Sequence, residues 1–173
     1  MGGAVGAERR TMITFERDGI KFNFRVAGIL IHKDRVLLHT TSEDPFWNLP
    51  GGRAELNEDT EQTIAREMNE ELNIDVRVEG LGFIREDFFE YDGKRYHEIG
   101  FYYFLSIRDD EEITTFTDDF GGIEDNGRLI FRWVAIDALQ ELEVYPENLK
   151  SELLQRRAGY SGANHYIHHE GKK

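Results

Sequence analysis

The segment Val26–His32, VAGILIH, constrains this chain more than any other. It is almost continuously apolar and stands between two turn signals, Asp18-Gly19 before it and Lys33-Asp34 directly after. It is strand-sized and too short to cross a bilayer. A strand without polar alternation reads as buried on both faces. The segments around it agree. TMITFERDGIKFNFRVAGILIHKDRVLLHTT reads as strands punctuated by those turns, and DPFWNLPGGRAELNED (44–59) as a loop with two prolines and a glycine pair. A helix is expected from Asp59 to Leu72. IDVRVEGLGFIREDFFEY and RYHEIGFYYFLSI follow as strands joined at Asp92-Gly93. After a polar, acidic loop (108–128) come the strand RLIFRWVAI and a helical segment, DALQELEVYPENLKSELLQRRA, interrupted at Pro146. The order β–β–β–α–β–β–β–α predicts an α/β fold, a mixed sheet with helices packed against it. At 173 residues the chain fits one domain, large enough to bury a core without staples.

The 59–72 helix carries its own boundary signals. Asp59 is placed to cap it, with Gln62 completing a capping box and Glu61 at the positive end of the dipole. Ile64, Met68 and Leu72, with Ala65 beside them, make one core-facing stripe. Asn73 suits a left-handed stop, with Ile74 packing back over the last turn. Against this order, Glu67, Glu70 and Glu71 crowd the negative end of the helix, where they oppose the dipole and repel one another. Two readings stay open from the cluster alone. It is a solvated acidic face, or it is a hard oxygen site suited to Mg²⁺ or Mn²⁺.

The upstream spacing bears on that choice. Gly52, five residues, Glu58, seven residues and then Arg66-Glu67-Met68-Asn69-Glu70-Glu71-Leu72-Asn73-Ile74 span 23 residues. This resembles the Nudix box of the MutT-like hydrolases: glycine, five residues, glutamate, seven residues, then Arg-Glu-apolar-any-Glu-Glu-any-Gly-apolar. One fixed position departs, the last glycine, which is Asn73 here. Asparagine is the next-best residue for a left-handed backbone. WNLPGG (47–52) and Glu55 also look like the family's approach to the box, and the strand order extends the resemblance over about residues 20–145.

The resemblance implies a Nudix fold, an α/β/α sandwich with a mixed central sheet, filling residues 1–173 as a single domain. Within it, residues 1–10 are expected to be disordered or a cloning remnant, and 146–173 a C-terminal helix and tail. It implies a pyrophosphohydrolase that uses Mg²⁺ (or Mn²⁺) and water to cleave the diphosphate of a nucleoside diphosphate linked to another moiety, such as a nucleoside triphosphate, an ADP-sugar or a dinucleotide. Glu67, Glu70 and Glu71 are the implied metal ligands, joined by the Gly52 carbonyl, and Gly51 and Gly52 let the backbone come close. Arg66 is implied to pair with Glu58 and hold the motif together; the alternatives are a solvated Arg66–Glu70 pair and a weak metal contact for Glu58. The general base is a box glutamate or an acid on a later loop, with Glu124 chosen among the latter. Homodimers are common in the family. A non-hydrolytic nucleotide sensor or interaction module is the alternative function.

Other residues are read from type and position. Arg25, Arg53 and Arg85 could reach phosphates, with surface salt bridging as the bland alternative. Phe88, Phe89, Tyr91 and Tyr96 could stack on a base, but aromatics in strands more often pack across the sheet. His97-Glu98 is read as structural, and His165, His168 and His169 as a solvated tail. With 34 acids against 21 bases the net charge is −13, which argues against binding duplex DNA or anionic membrane. The absence of cysteine excludes thiol catalysis and zinc–thiolate sites. The N-terminus has no signal-peptide pattern, so a cytoplasmic location is expected.

Overall fold

The computed structural model describes residues 10–171; apart from Arg10, the expectation for residues 1–10 lies outside the described residues. Three hairpins form where the turn residues dictate. β1 (Thr14–Arg17) joins β2 (Ile20–His32) at Asp18-Gly19, β2 joins β3 (Arg35–Thr40) at Lys33-Asp34, and β6 (Arg77–Tyr91) joins β7 (Lys94–Ser106) at Asp92-Gly93. Both central residues of each turn have positive φ, between 48° and 71°. Two-residue hairpins of this kind match the right-handed twist of their strands.

β4 (Trp47–Asn48), β5 (Gly51–Arg53), β9 (Ile130–Ala135), β10 (Val144–Tyr145) and β11 (Asn164–His169) complete the main sheet, with the short β8 (Phe120–Gly121) on β9. The order is β10-β4-β3-β2-β7-β6-β11, with β9 on β3 and β5 on β2. β2 and β7 run parallel, whereas β6–β7 and β3–β9 are antiparallel. The sheet is therefore mixed.

β2 lies at the centre and is buried on both faces. Val26 and Leu30 join one core, with Ile64 and Met68 of α1 (Thr60–Leu72). Ala27 and Ile29 join the other, with Leu149 and Leu153 of α2 (Leu149–Arg157). One helix on each face makes the α/β/α sandwich. No described helix is long and apolar enough to cross a membrane.

α1 begins with a complete capping box: the Asp59 side chain accepts from the Gln62 amide at 2.8 Å, and the Gln62 side chain accepts from the Asp59 amide at 3.0 Å. It ends on Asn73 at φ 53°, ψ 42°, the left-handed stop. Asp59→Ala should lower stability by about 1 kcal/mol, read by urea denaturation; an unchanged midpoint would mean the box contributes nothing.

The C-terminal third departs from expectation. The long helical segment is instead a 3₁₀ turn (Ile136–Glu141), β10, then α2. Pairing of Val144 and Tyr145 with Trp47 and Asn48 overrides the local helical pattern. The tail histidines lie on β11, which pairs in parallel with β6 from Asn164↔Phe83 to His169↔Phe88, so this segment is part of the sheet and the solvated-tail reading is corrected. The acidic loop likewise holds 3₁₀ turns at Glu112–Thr115 and Glu124–Gly127.

Candidate functional site

The acids of α1 are organised by one guanidinium. Arg66 Nε and Nη2 donate to the two Glu58 carboxylate oxygens at 2.8 and 3.0 Å. Its Nη1 donates to Glu67 Oε1 at 2.8 Å and Glu70 Oε2 at 3.0 Å, and Nη2 also reaches the Arg53 carbonyl at 3.3 Å. Arg10 holds the other Glu70 oxygen. The hydrogen bond from Arg66 keeps the Glu58 carboxyl below its usual range. Glu70 also lies below, because hydrogen bonds from Arg10 and Arg66 outweigh the effect of its burial.

The other two acids are pushed the opposite way. Burial raises Glu67, and Arg66 only partly offsets it. Burial, followed by the charge of Glu67, pushes Glu71 up to about 8, against the pull of Arg25. Glu71 is 4% exposed, and its Oε2 has no hydrogen-bond partner among the described residues.

Two glycines bring the backbone close to these carboxylates. Gly51 has φ +147°, and a Cβ there would lie 2.1 Å from the Val26 carbonyl oxygen, across the β2–β5 pairing. A Cβ on Gly52 would lie 2.3 Å from the Glu67 carboxylate. Glycine is required at Gly51, by its φ and the approach of the backbone, whereas a side chain at Gly52 would displace the Glu67 carboxylate. On the far side, the Ile123 amide donates to the Glu71 carbonyl at 2.9 Å and docks the loop that carries Glu124. The charge of Glu124 acts on both Glu67 and Glu71.

Among the described residues, no three acidic or histidine side chains stand closed as a metal-ligand cluster. Glu67 and Glu70 are turned onto Arg66 instead. The donor set nevertheless fits a hard divalent cation. It offers a buried carboxylate oxygen without a partner on Glu71, a carboxylate against Gly52 on Glu67, and mutual repulsion that a cation would relieve.

A cavity of about 510 Å³ opens on the α2 side of the sheet and does not include the α1 acids. Arg25 is where the two regions meet: it lines the cavity, donates to the Leu49 carbonyl at 3.0 Å, and its charge bears on Glu71. Phe89 also lines the cavity, stacked on Tyr96 at 5.0 Å. Phe88 does not. Its ring is sandwiched between His97 and His169, each at 4.4 Å. Arg53 lies outside the cavity, beside the Met12 sulfur.

Arg85 corrects the surface salt-bridge reading. It is 4% exposed and donates to Asp87 at 2.8 Å, to Glu147 at 2.6 Å and to Asn148 at 2.9 Å. Glu98, Phe46 and Tyr145 line the cavity without having been singled out for it. For Glu98 the available signal was a carboxylate facing the same side of its strand as Tyr102.

The family model of the NUDIX domain matches residues 22–157. An 8-oxo-dGTP diphosphatase from Buchnera aphidicola subsp. Schizaphis graminum is 26% identical over 125 residues, covering 70% of this chain and 83% of that protein. A MutT-like protein from Streptomyces ambofaciens is 42% identical over 57 residues, covering 32% of this chain and 37% of that protein, so the match spans just over a third of its length. The crystal structure of a mutator MutT protein from Bacillus halodurans superposes with TM-score 0.61 at 21% identity, covering 85% of this chain and 89% of that one. An ADP-ribose pyrophosphatase from Streptococcus suis gives 0.55 at 14% identity, covering 84% and 98%. At such identities the structural likeness concerns the fold.

Proposed function

This chain belongs to the NUDIX domain family and is a hydrolase of that family, and from that premise we propose that it is a Mg²⁺-dependent pyrophosphohydrolase of small nucleotides. Water attacks one phosphorus of a diphosphate linkage and the bridging P–O bond breaks, leaving a nucleoside monophosphate and the remaining phosphoryl fragment: pyrophosphate from a triphosphate, a second phosphate monoester from an ADP-sugar or dinucleotide. The observation that carries this reading is the buried, unpartnered Glu71 carboxylate oxygen beside Glu67, on the helix face that also holds Glu70.

Glu67, Glu70, Glu71 and the Gly52 carbonyl are the residues that would hold Mg²⁺ or Mn²⁺. When bound, the cation supplies neutralisation of the diphosphate charge and lowers the pKa of a nearby water. Arg66, gripped by Glu58, orients the Glu67 and Glu70 carboxylates and does not touch substrate. Arg25, which lines the cavity and whose charge bears on Glu71, faces the phosphates, while the aromatic cavity receives the nucleoside. Glu124 takes the proton from the attacking water. Net charge of −13 favours a small nucleotide over a long polyanion. Relatives named for 8-oxo-dGTP and ADP-ribose support a nucleotide substrate without choosing between them. No residue favours the non-hydrolytic alternative, since Glu58, Arg66, Glu67, Glu70 and Glu71 are all present. β11 closing onto β6 supports reading the chain as a single domain.

The test is a panel of nucleotides with Mg²⁺, scored for monophosphate release. Glu70→Gln should lower turnover by about a hundredfold and weaken the rise in melting temperature that Mg²⁺ gives the wild type. Equal turnover by the two proteins would sink the assignment.

A further inference from the structure

We infer that Glu98 selects the ligand of the cavity, by accepting hydrogen bonds from an edge that carries two adjacent N–H donors, as a guanine-type base does and an adenine-type base does not. The inference deepens the proposed hydrolase reading and rests on it for the nucleoside's place in the cavity.

Glu98 lies on β7 opposite Asn23 of β2 and lines the cavity. Asn23 is 6% exposed and fixed in orientation: its Oδ1 accepts from the Thr14 hydroxyl at 2.8 Å, which turns its Nδ2 toward Glu98 Oε2 at 3.4 Å. That long contact is the only hydrogen bond the Glu98 side chain makes among the described residues. Glu98 Oε1 therefore has no protein donor, while burial pushes the carboxyl upward. Its neighbours differ. Arg85 is committed to Asp87, Glu147 and Asn148, and His168 Nδ1 sits on Asp87 at 2.5 Å.

An under-satisfied carboxylate in a half-enclosed cavity is unfavourable until a ligand supplies donors. A phosphate would bring only acceptors and a second negative charge. A flat ring suits the walls, which include Phe89 and Tyr102, with Phe46 meeting the Tyr145 edge at 5.3 Å. Guanine offers its ring N1–H and exocyclic amine side by side, a fork matching two carboxylate oxygens. Hypoxanthine keeps the ring N–H and lacks the amine. Adenine sets an amine beside a ring acceptor that would face the carboxylate.

The experiment compares wild type with Glu98→Gln, an isosteric change that removes a buried charge; a melting curve verifies folding. Hydrolysis of GTP, ITP and ATP is measured, and binding of GMP, IMP and AMP by calorimetry. Wild type should favour the guanine member over the hypoxanthine member by about tenfold or more. In Glu98→Gln that ratio should fall toward one, with the loss carried by KM. The same ratio in both proteins, or a wild type indifferent to the pair, overturns the inference, as does absence of binding by all three. If no nucleotide is hydrolysed but GMP still binds better than IMP through Glu98, the hydrolase reading fails and the inference stands.

Discussion

Arg66→Ala is expected to lower the stability of the metal-free protein by about 3–5 kcal/mol. The guanidinium is 17% exposed and donates to Glu58, Glu67 and Glu70, with Glu55 at 3.7 Å. Truncation removes four charge-assisted hydrogen bonds between side chains and leaves partly buried carboxylates facing one another. Arg66→Lys should recover only part of the loss, since a single ammonium cannot fork across Glu58 while also reaching Glu67 and Glu70. The sign with pH is fixed by Glu58. Its carboxyl is lowered in the folded state, so it contributes stability above its unfolded value near 4.5 that is lost as pH falls through the folded one. The wild-type advantage should therefore be largest near neutrality and shrink toward acid pH. Urea denaturation at pH 7.5 and in acid reads both effects. A deficit below about 1 kcal/mol, or one independent of pH, would mean Arg66 is a solvated partner of Glu70 and little more.

The features visible in the sequence are those fixed within a few residues. Asp18-Gly19, Lys33-Asp34 and Asp92-Gly93 form their turns because each pair adopts left-handed backbone angles locally. The Asp59–Gln62 box and the Asn73 stop are similarly short-range. The convergence of Glu67, Glu70 and Glu71 follows from helical periodicity, although their turning onto Arg66 and Arg10 does not. The cavity was not legible, because β2, β6, β7 and the segment around Tyr145 and Glu147 meet only through the sheet order. Arg85 illustrates the difficulty. One of its two anions, Asp87, lies two residues along the same strand face, within reach of a sequence reading; Glu147 and Asn148 do not. β11 looked like a polar tail because an edge strand tolerates histidine and asparagine, and the partner that orders it lies on distant β6.

Glu71→Gln is expected to reduce turnover by about a thousandfold while making the metal-free protein more stable. Both effects have one origin. Glu71 is buried, repelled by Glu67, and has a carboxylate oxygen without a partner, so its folded-state pKa is pushed up to about 8. An acid raised in this way carries no penalty below its unfolded value near 4.5, where both states are protonated. Stability is then lost as pH rises toward the folded value and levels off above it. Across that window the wild type should lose on the order of 4 kcal/mol from this group, and a neutral glutamine should lose none. The variant's advantage is thus absent near pH 4.5 and full above pH 8. Divalent cations reverse the order: added Mg²⁺ should stabilise the wild type and leave Glu71→Gln nearly unmoved. Denaturation at pH 4.5 and 8.5, with and without Mg²⁺, measures all four corners. A core residue would destabilise the protein in every corner when altered. A variant less stable at pH 8.5 without metal would show that Glu71 has a structural donor and is not held ready for a cation.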